Sequence, residues 1–118
     1  MDLELTDKRA VITGGSRGIG LGCAMALARE GCHVQLAARN EETLRHAKAA
    51  VLEAAGTVDV LTHSVDLSAS EDQRALVDAA GEVDIWINNA GAIPAGDIST
   101  INERRWRDAW DLKVFGYI

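Results

Sequence analysis

The stretch Val11–Gly20, VITGGSRGIG, decides how this chain folds. An apolar run, RAVIT (9–13), stops at Thr13, and glycines follow at 14, 15, 18 and 20. From Ile19 to Glu30 apolar residues recur at helical spacing, and Gly31 supplies a stop. The turn therefore joins a buried strand to a helix. Gly14 frees the chain to leave the strand sharply. Gly18 has no Cβ, so a phosphate can approach the backbone, and Gly20 permits close helix–sheet contact. The free N–H groups and positive dipole end of the helix would face that anion. This pattern suits a dinucleotide pyrophosphate. It lacks the Gly-Lys-Ser/Thr ending of a nucleotide-triphosphate loop, which argues against ATP hydrolysis.

The same alternation continues outward. HVQLAA (33–38) is a second strand, and Asn40 is a plausible N-cap for EETLRHAKAAVLEAA (41–55), which stops at Gly56. TVDVLTHSVDL (57–67) contains a third strand. Ser68 and Glu71 have capping-box spacing before DQRALVDAA (72–80), and Gly81 follows. VDIWINNAG (83–91) is a fourth strand running into a turn, with the lone proline, Pro94, in the loop beyond. Thr100 and Glu103 offer another capping box before RRWRDAWDLKVFGY (104–117), where Trp106, Trp110 and Phe115 lie at helical spacing. Four strand–helix units with short connections and apolar strands predict an α/β fold. Its parallel sheet is doubly wound, with helices on both faces. No linker or repeat divides the 118 residues, so 1–118 reads as a single dinucleotide-binding domain.

Composition narrows the partners. The net charge of −6 and the absence of any basic run argue against nucleic-acid binding. Cys23 and Cys32 read as reduced, buried small hydrophobes, and only His33 stands near Cys32 as a ligand candidate, so no metal is expected. The start MDLELTDKRA is charged and unlike a signal peptide, and no apolar stretch reaches membrane-spanning length. A cytoplasmic location with no membrane contact is the expectation.

Two further signals bear on the ligand. NAD-dependent proteins place Asp or Glu at the end of the second strand, about 20 residues past the glycines. Here Ala37 and Ala38 lead to Arg39. A guanidinium there can grip a 2′-phosphate, and Arg17 in the glycine turn can reach the same place. The pair favours NADP(H) over NAD(H); the other reading leaves both as solvated surface residues. Glu41 and Glu42 fall in the first helical turn, where acids suit the dipole. The polar NNAG (88–91) ends the fourth strand beside the glycine turn, and small Ala90 and Gly91 leave room for a ligand against the backbone.

Together, TGGSRGIG (13–20), VDL (65–67) and NNAG (88–91) resemble the short-chain dehydrogenase/reductase family, in order and spacing along almost the whole chain. The resemblance implies the Rossmann-type sheet of that family's N-terminal, cofactor-binding half. It implies NAD(P)(H)-dependent interconversion of a carbonyl and an alcohol. The nucleotide would lie against Gly14, Ser16, Arg17, Gly18, Ile19 and Gly20. Asp66 and Leu67 would meet the adenine, and Asn89, Ala90 and Gly91 would line the cofactor. Asp66 is also open to a plainer reading, as a turn residue leading into a helix. The resemblance implies a small-molecule alcohol or carbonyl substrate and a homo-dimer or homo-tetramer.

The family's chemistry is done by Ser and Tyr-x-x-x-Lys, with the tyrosine as general acid/base and the nicotinamide carrying hydride. No catalytic residue is assigned within the 118 residues, since Tyr117 is the only tyrosine and Ile118 follows it. The catalytic set is expected beyond Ile118, in a longer protein of which this would be the first half. Many members carry an Asn in the last helix that helps hold a relay water. Lys113 stands there instead, either to serve the relay or to face solvent. The alternative function is a non-catalytic NADP(H)-binding or regulatory module, or an inactive fragment.

Overall fold

In the segment His33–Ala38, Val34 and Leu36 pack into one apolar cluster and Ala37 into another, and all three are buried. Successive residues of a strand point to opposite faces, so this strand needs helices on both sides. The computed structural model, which describes residues 3–89, supplies them. The order is β1 (Arg9–Thr13), α1 (Gly18–Arg29), β2 (His33–Ala38), α2 (Glu41–Ala54), β3 (Val60–Ser64), α3 (Ser70–Ala80) and β4 (Ile85–Ile87).

All pairings are parallel and the strands lie in the order β3-β2-β1-β4. On one face Ala10, Ile12, Val34, Leu36 and Val60 pack against Ala24 and Ala28 of α1 and Leu44, Ala47 and Val51 of α2. On the other face Leu76 of α3 closes over Ala37 and Leu67. Burying each of the Val, Leu and Ile side chains among these stabilises by about 1.5–3 kcal/mol, and each alanine methyl by less. Gln35 also reaches that second face. Its Nε2 donates to the Ala80 carbonyl, 2.9 Å away, and its Oε1 meets His63 Nε2 at 2.6 Å. A buried amide thus ties the end of α3 to the sheet with both ends satisfied.

The chain leaves β1 toward β2 on one side and returns through α3 to β4 on the other. The strand order therefore reverses between β1 and β4, where an open α/β sheet forms its ligand crevice.

Asn40 caps α2 as expected, its Oδ1 accepting from the N–H groups of Glu42 and Thr43 at 2.9 and 3.0 Å. The Ser68–Glu71 capping box does not form. Ala69 is the residue before α3 and has no side-chain bond to the helix. Asp66 takes Ser68 instead, accepting its N–H at 3.0 Å and its hydroxyl at 2.7 Å. Such a local Asx turn competes with capping for the same hydroxyl. β3 is not the apolar run that the alternation predicts. Among the described residues it is an edge strand, with Leu61 exposed on one face and Thr62 and Ser64 on the other, so only Val60 is buried. Cys32 is buried, and its thiol donates to the Leu5 carbonyl at 3.3 Å. Burial, then the charges of Asp84 and Glu30, push that thiol's pKa up. Cys23 is only half-buried, and both cysteines are free. The Thr100–Glu103 cap, Pro94, the Trp106–Trp110–Phe115 stripe, Lys113 and Tyr117 lie outside the described residues.

Candidate functional site

Among the described residues the carboxyl ends of the four strands meet at one sheet edge, and the expected site residues up to Asn89 fall at them. After β1 the chain turns at Gly14, whose φ is 66°. The Gly14 N–H donates to the Ala37 carbonyl at 2.8 Å, which fixes the turn to β2. Ser16 is half-buried within the turn, and Arg17 is its exposed last residue, extended at φ −154°. Gly18 opens α1 with φ 54°, a conformation that L side chains rarely adopt.

The two glycines of this helix start have opposite surroundings. A Cβ on Gly18 would meet nothing within 4 Å. A Cβ on Gly20 would strike the Gly14 carbonyl and come within 2.6 Å of Asn89 Nδ2. Gly20 is therefore closed against the protein, and Gly18 opens on space. The first N–H groups of α1 point outward there with no acid in the first turn. The open space at Gly18 leaves room for an anion to approach these groups, as a dinucleotide site requires. Ile19, beside them, is 79% exposed, so its side chain adds nothing to the core and is free to meet a ligand.

Asn89, after β4, ties the two sides of the crevice. Its backbone N–H donates to Thr13 Oγ1 at 2.9 Å and its side-chain amide to the Gly14 carbonyl at 3.3 Å. The Thr13 hydroxyl in turn donates to the Ile87 carbonyl at 3.3 Å. Thr13 is a residue that sequence reasoning missed. Its signal is a hydroxyl ending an apolar strand directly before the glycines.

Across β1, Arg39 is exposed just past β2. Neither Arg17 nor Arg39 forms an ion pair within 4 Å among the described residues. Asp66 is half-buried after β3. The Ser68 hydroxyl and then its N–H hold the Asp66 carboxyl below its ordinary range, partly opposed by burial and assisted by the Arg39 charge. Asp66 is thus a carboxylate at neutral pH, with Arg39 in its field. Its backbone N–H donates to Asp72 Oδ2 at 2.6 Å. The Leu67 side chain is buried with Ala37 and Leu76, and its carbonyl accepts from Gln73 Nε2 at 2.7 Å. Leu67 therefore shapes the floor behind Asp66. Ala90 and Gly91 lie outside the described residues.

A family model for the short chain dehydrogenases matches residues 8–118, and the chain belongs to that family of oxidoreductases. It is 37% identical over 118 residues to gluconate 5-dehydrogenase of Gluconobacter oxydans, covering 94% of this chain and 44% of the relative. A crystal structure of L-sorbose reductase from Gluconobacter frateurii, complexed with NADPH and L-sorbose, superposes with a TM-score of 0.90 at 37% identity. That match covers 99% of this chain and 46% of the other. An NAD+-bound xylitol dehydrogenase superposes at 0.87 with 28% identity, covering 96% and 45%. The chain thus spans about half the length of the curated relatives it matches. Among the described residues no helix is long and apolar enough to cross a membrane.

Proposed function

We propose that residues 14–20, 39, 66–67 and 89–91 form the coenzyme site of an NADP(H)-dependent oxidoreductase that interconverts a small-molecule carbonyl and an alcohol. The observation that carries this reading is the contrast between Gly18 and Gly20: one Cβ position open to an anion, the other closed on the Gly14 carbonyl. It is found at the strand-order reversal, in front of a helix N-terminus free of acids. The pyrophosphate would lie on the N–H groups of Gly18–Gly20. Arg39, with Arg17, would hold the 2′-phosphate, which a carboxylate in place of Arg39 would repel. Asp66 would accept from the adenine amino group, for which its ionised state suits it.

When bound, the nicotinamide supplies the hydride. These residues would bind and orient; proton transfer would fall to the family's Ser and Tyr-x-x-x-Lys. The relatives support both coenzymes in principle, since the sorbose reductase holds NADPH and the xylitol dehydrogenase NAD+. The choice of NADP(H) here rests on Arg39. Isothermal titration of the chain with NADPH and NADH tests it. Tighter binding of NADPH, with the preference lost in Arg39→Ala, is the expected result. Equal binding of both, unchanged by Arg39→Ala, would overturn the choice of coenzyme. Failure to bind either would overturn the site.

A further inference from the structure

We propose that Ser64 sets the coenzyme preference by fixing the piece of backbone that carries Arg39. The inference rests on the reading of Arg39 as the 2′-phosphate contact. The paired register of β2 and β3 ends at Ala38 and Ser64, and the Val65 N–H makes a further backbone link to the Ala38 carbonyl at 2.9 Å. Arg39 lies one step past that ladder. There the Ser64 hydroxyl donates to the Arg39 carbonyl at 2.8 Å. A serine hydroxyl usually bonds backbone within a few residues of itself. This one reaches across 25 residues to the neighbouring strand, so it lengthens the sheet by one link made from a side chain.

On the far side Asn40 is held just as firmly. Its Oδ1 caps α2, and its carbonyl accepts from the Thr43 hydroxyl at 3.0 Å. Arg39 is therefore fixed between a strand end and a helix cap, which sets the direction of its Cα–Cβ bond. Its guanidinium is exposed and forms no ion pair within 4 Å among the described residues; the Asp66 charge acts on it only from farther off. The backbone is then the lever on where the guanidinium can reach. Removing the Ser64 hydroxyl loosens that lever without touching the ligand. The contact is at the surface, where water competes for the carbonyl, so the effect is a graded loss.

The test is calorimetric titration of the full chain with NADPH and with NADH, in wild type, Ser64→Ala, Ser64→Thr, Arg39→Ala and the Arg39→Ala/Ser64→Ala double variant. Ser64→Ala should weaken NADPH about three- to tenfold and NADH less than about twofold. Ser64→Thr, which keeps the hydroxyl, should restore NADPH binding. In the Arg39→Ala background Ser64→Ala should change neither affinity. Equal weakening of both coenzymes by Ser64→Ala, or no weakening, while Arg39→Ala abolishes the preference, would overturn the role of Ser64 alone. An unchanged preference in Arg39→Ala would overturn the reading of Arg39 and the role of Ser64 with it.

Discussion

The side-chain amide of Asn89 donates to the Gly14 carbonyl, 3.3 Å away, and a Cβ on Gly20 would collide with both groups. The crevice between β1 and β4 is thus closed at its base by one amide and one missing methyl group. Gly20→Ala should destabilise the chain by about 1–3 kcal/mol through overpacking. It should also weaken NADPH binding, because α1 must back away from the turn. Gly22→Ala is the control. It sits in the same helix with nothing within 4 Å of its Cβ position. Replacing a helical glycine there should stabilise by about 0.5–1 kcal/mol. Urea denaturation of the two variants should give shifts of opposite sign.

Thr13 joins the ends of β1 and β4 through its hydroxyl. Thr13→Val keeps the shape and removes the acceptor for the Asn89 N–H. Leaving that half-buried donor unpaired should cost about 1–3 kcal/mol. Thr13→Ser, which keeps the hydroxyl, should recover most of the loss. Equal urea midpoints for Thr13→Val and wild type would show that the bond carries no weight.

Stability should fall on acidification in two ranges. Burial lowers the pKa of His63 from its ordinary 6.5, so the unfolded chain binds that proton more readily than the folded one. The resulting loss should begin as pH drops below about 6.5 and level off below the lowered folded value. The Ser68 bonds, with the Arg39 charge, lower the pKa of Asp66 from 3.8. Its contribution is present in full above that value and is lost as pH falls through the lower folded one. Urea midpoints from pH 7.5 to 5 should flatten in His63→Gln. Below pH 4 the slope should flatten in Asp66→Asn.

The fold was legible where the sequence carries stop and start chemistry. Asn40 caps α2 through its side chain, and Gly31 and Gly81 follow α1 and α3 with φ of 90° and 69°. Capping residues and glycines act through local geometry, so they can be read from spacing alone. Ser68 misled for the same reason. Its spacing to Glu71 is right, yet Asp66 two residues earlier holds its hydroxyl. β3 departs from the apolar pattern because it is an edge strand whose outer residues are exposed on both faces, which tolerates Thr62 and Ser64. At the site, the glycines and Arg39 were visible by residue type. Thr13 and Ser64 act through partners 74 and 25 residues away, which no local spacing reveals.

The central claim is that the turn after β1 holds a dinucleotide. Two-dimensional 15N–1H NMR of the chain titrated with NADPH tests it most directly. The amides of residues 14–20, with those of Arg39, Asp66 and Asn89, should shift together and saturate at one ligand per chain. Saturable shifts confined to other residues, or none in residues 14–20, would contradict the account.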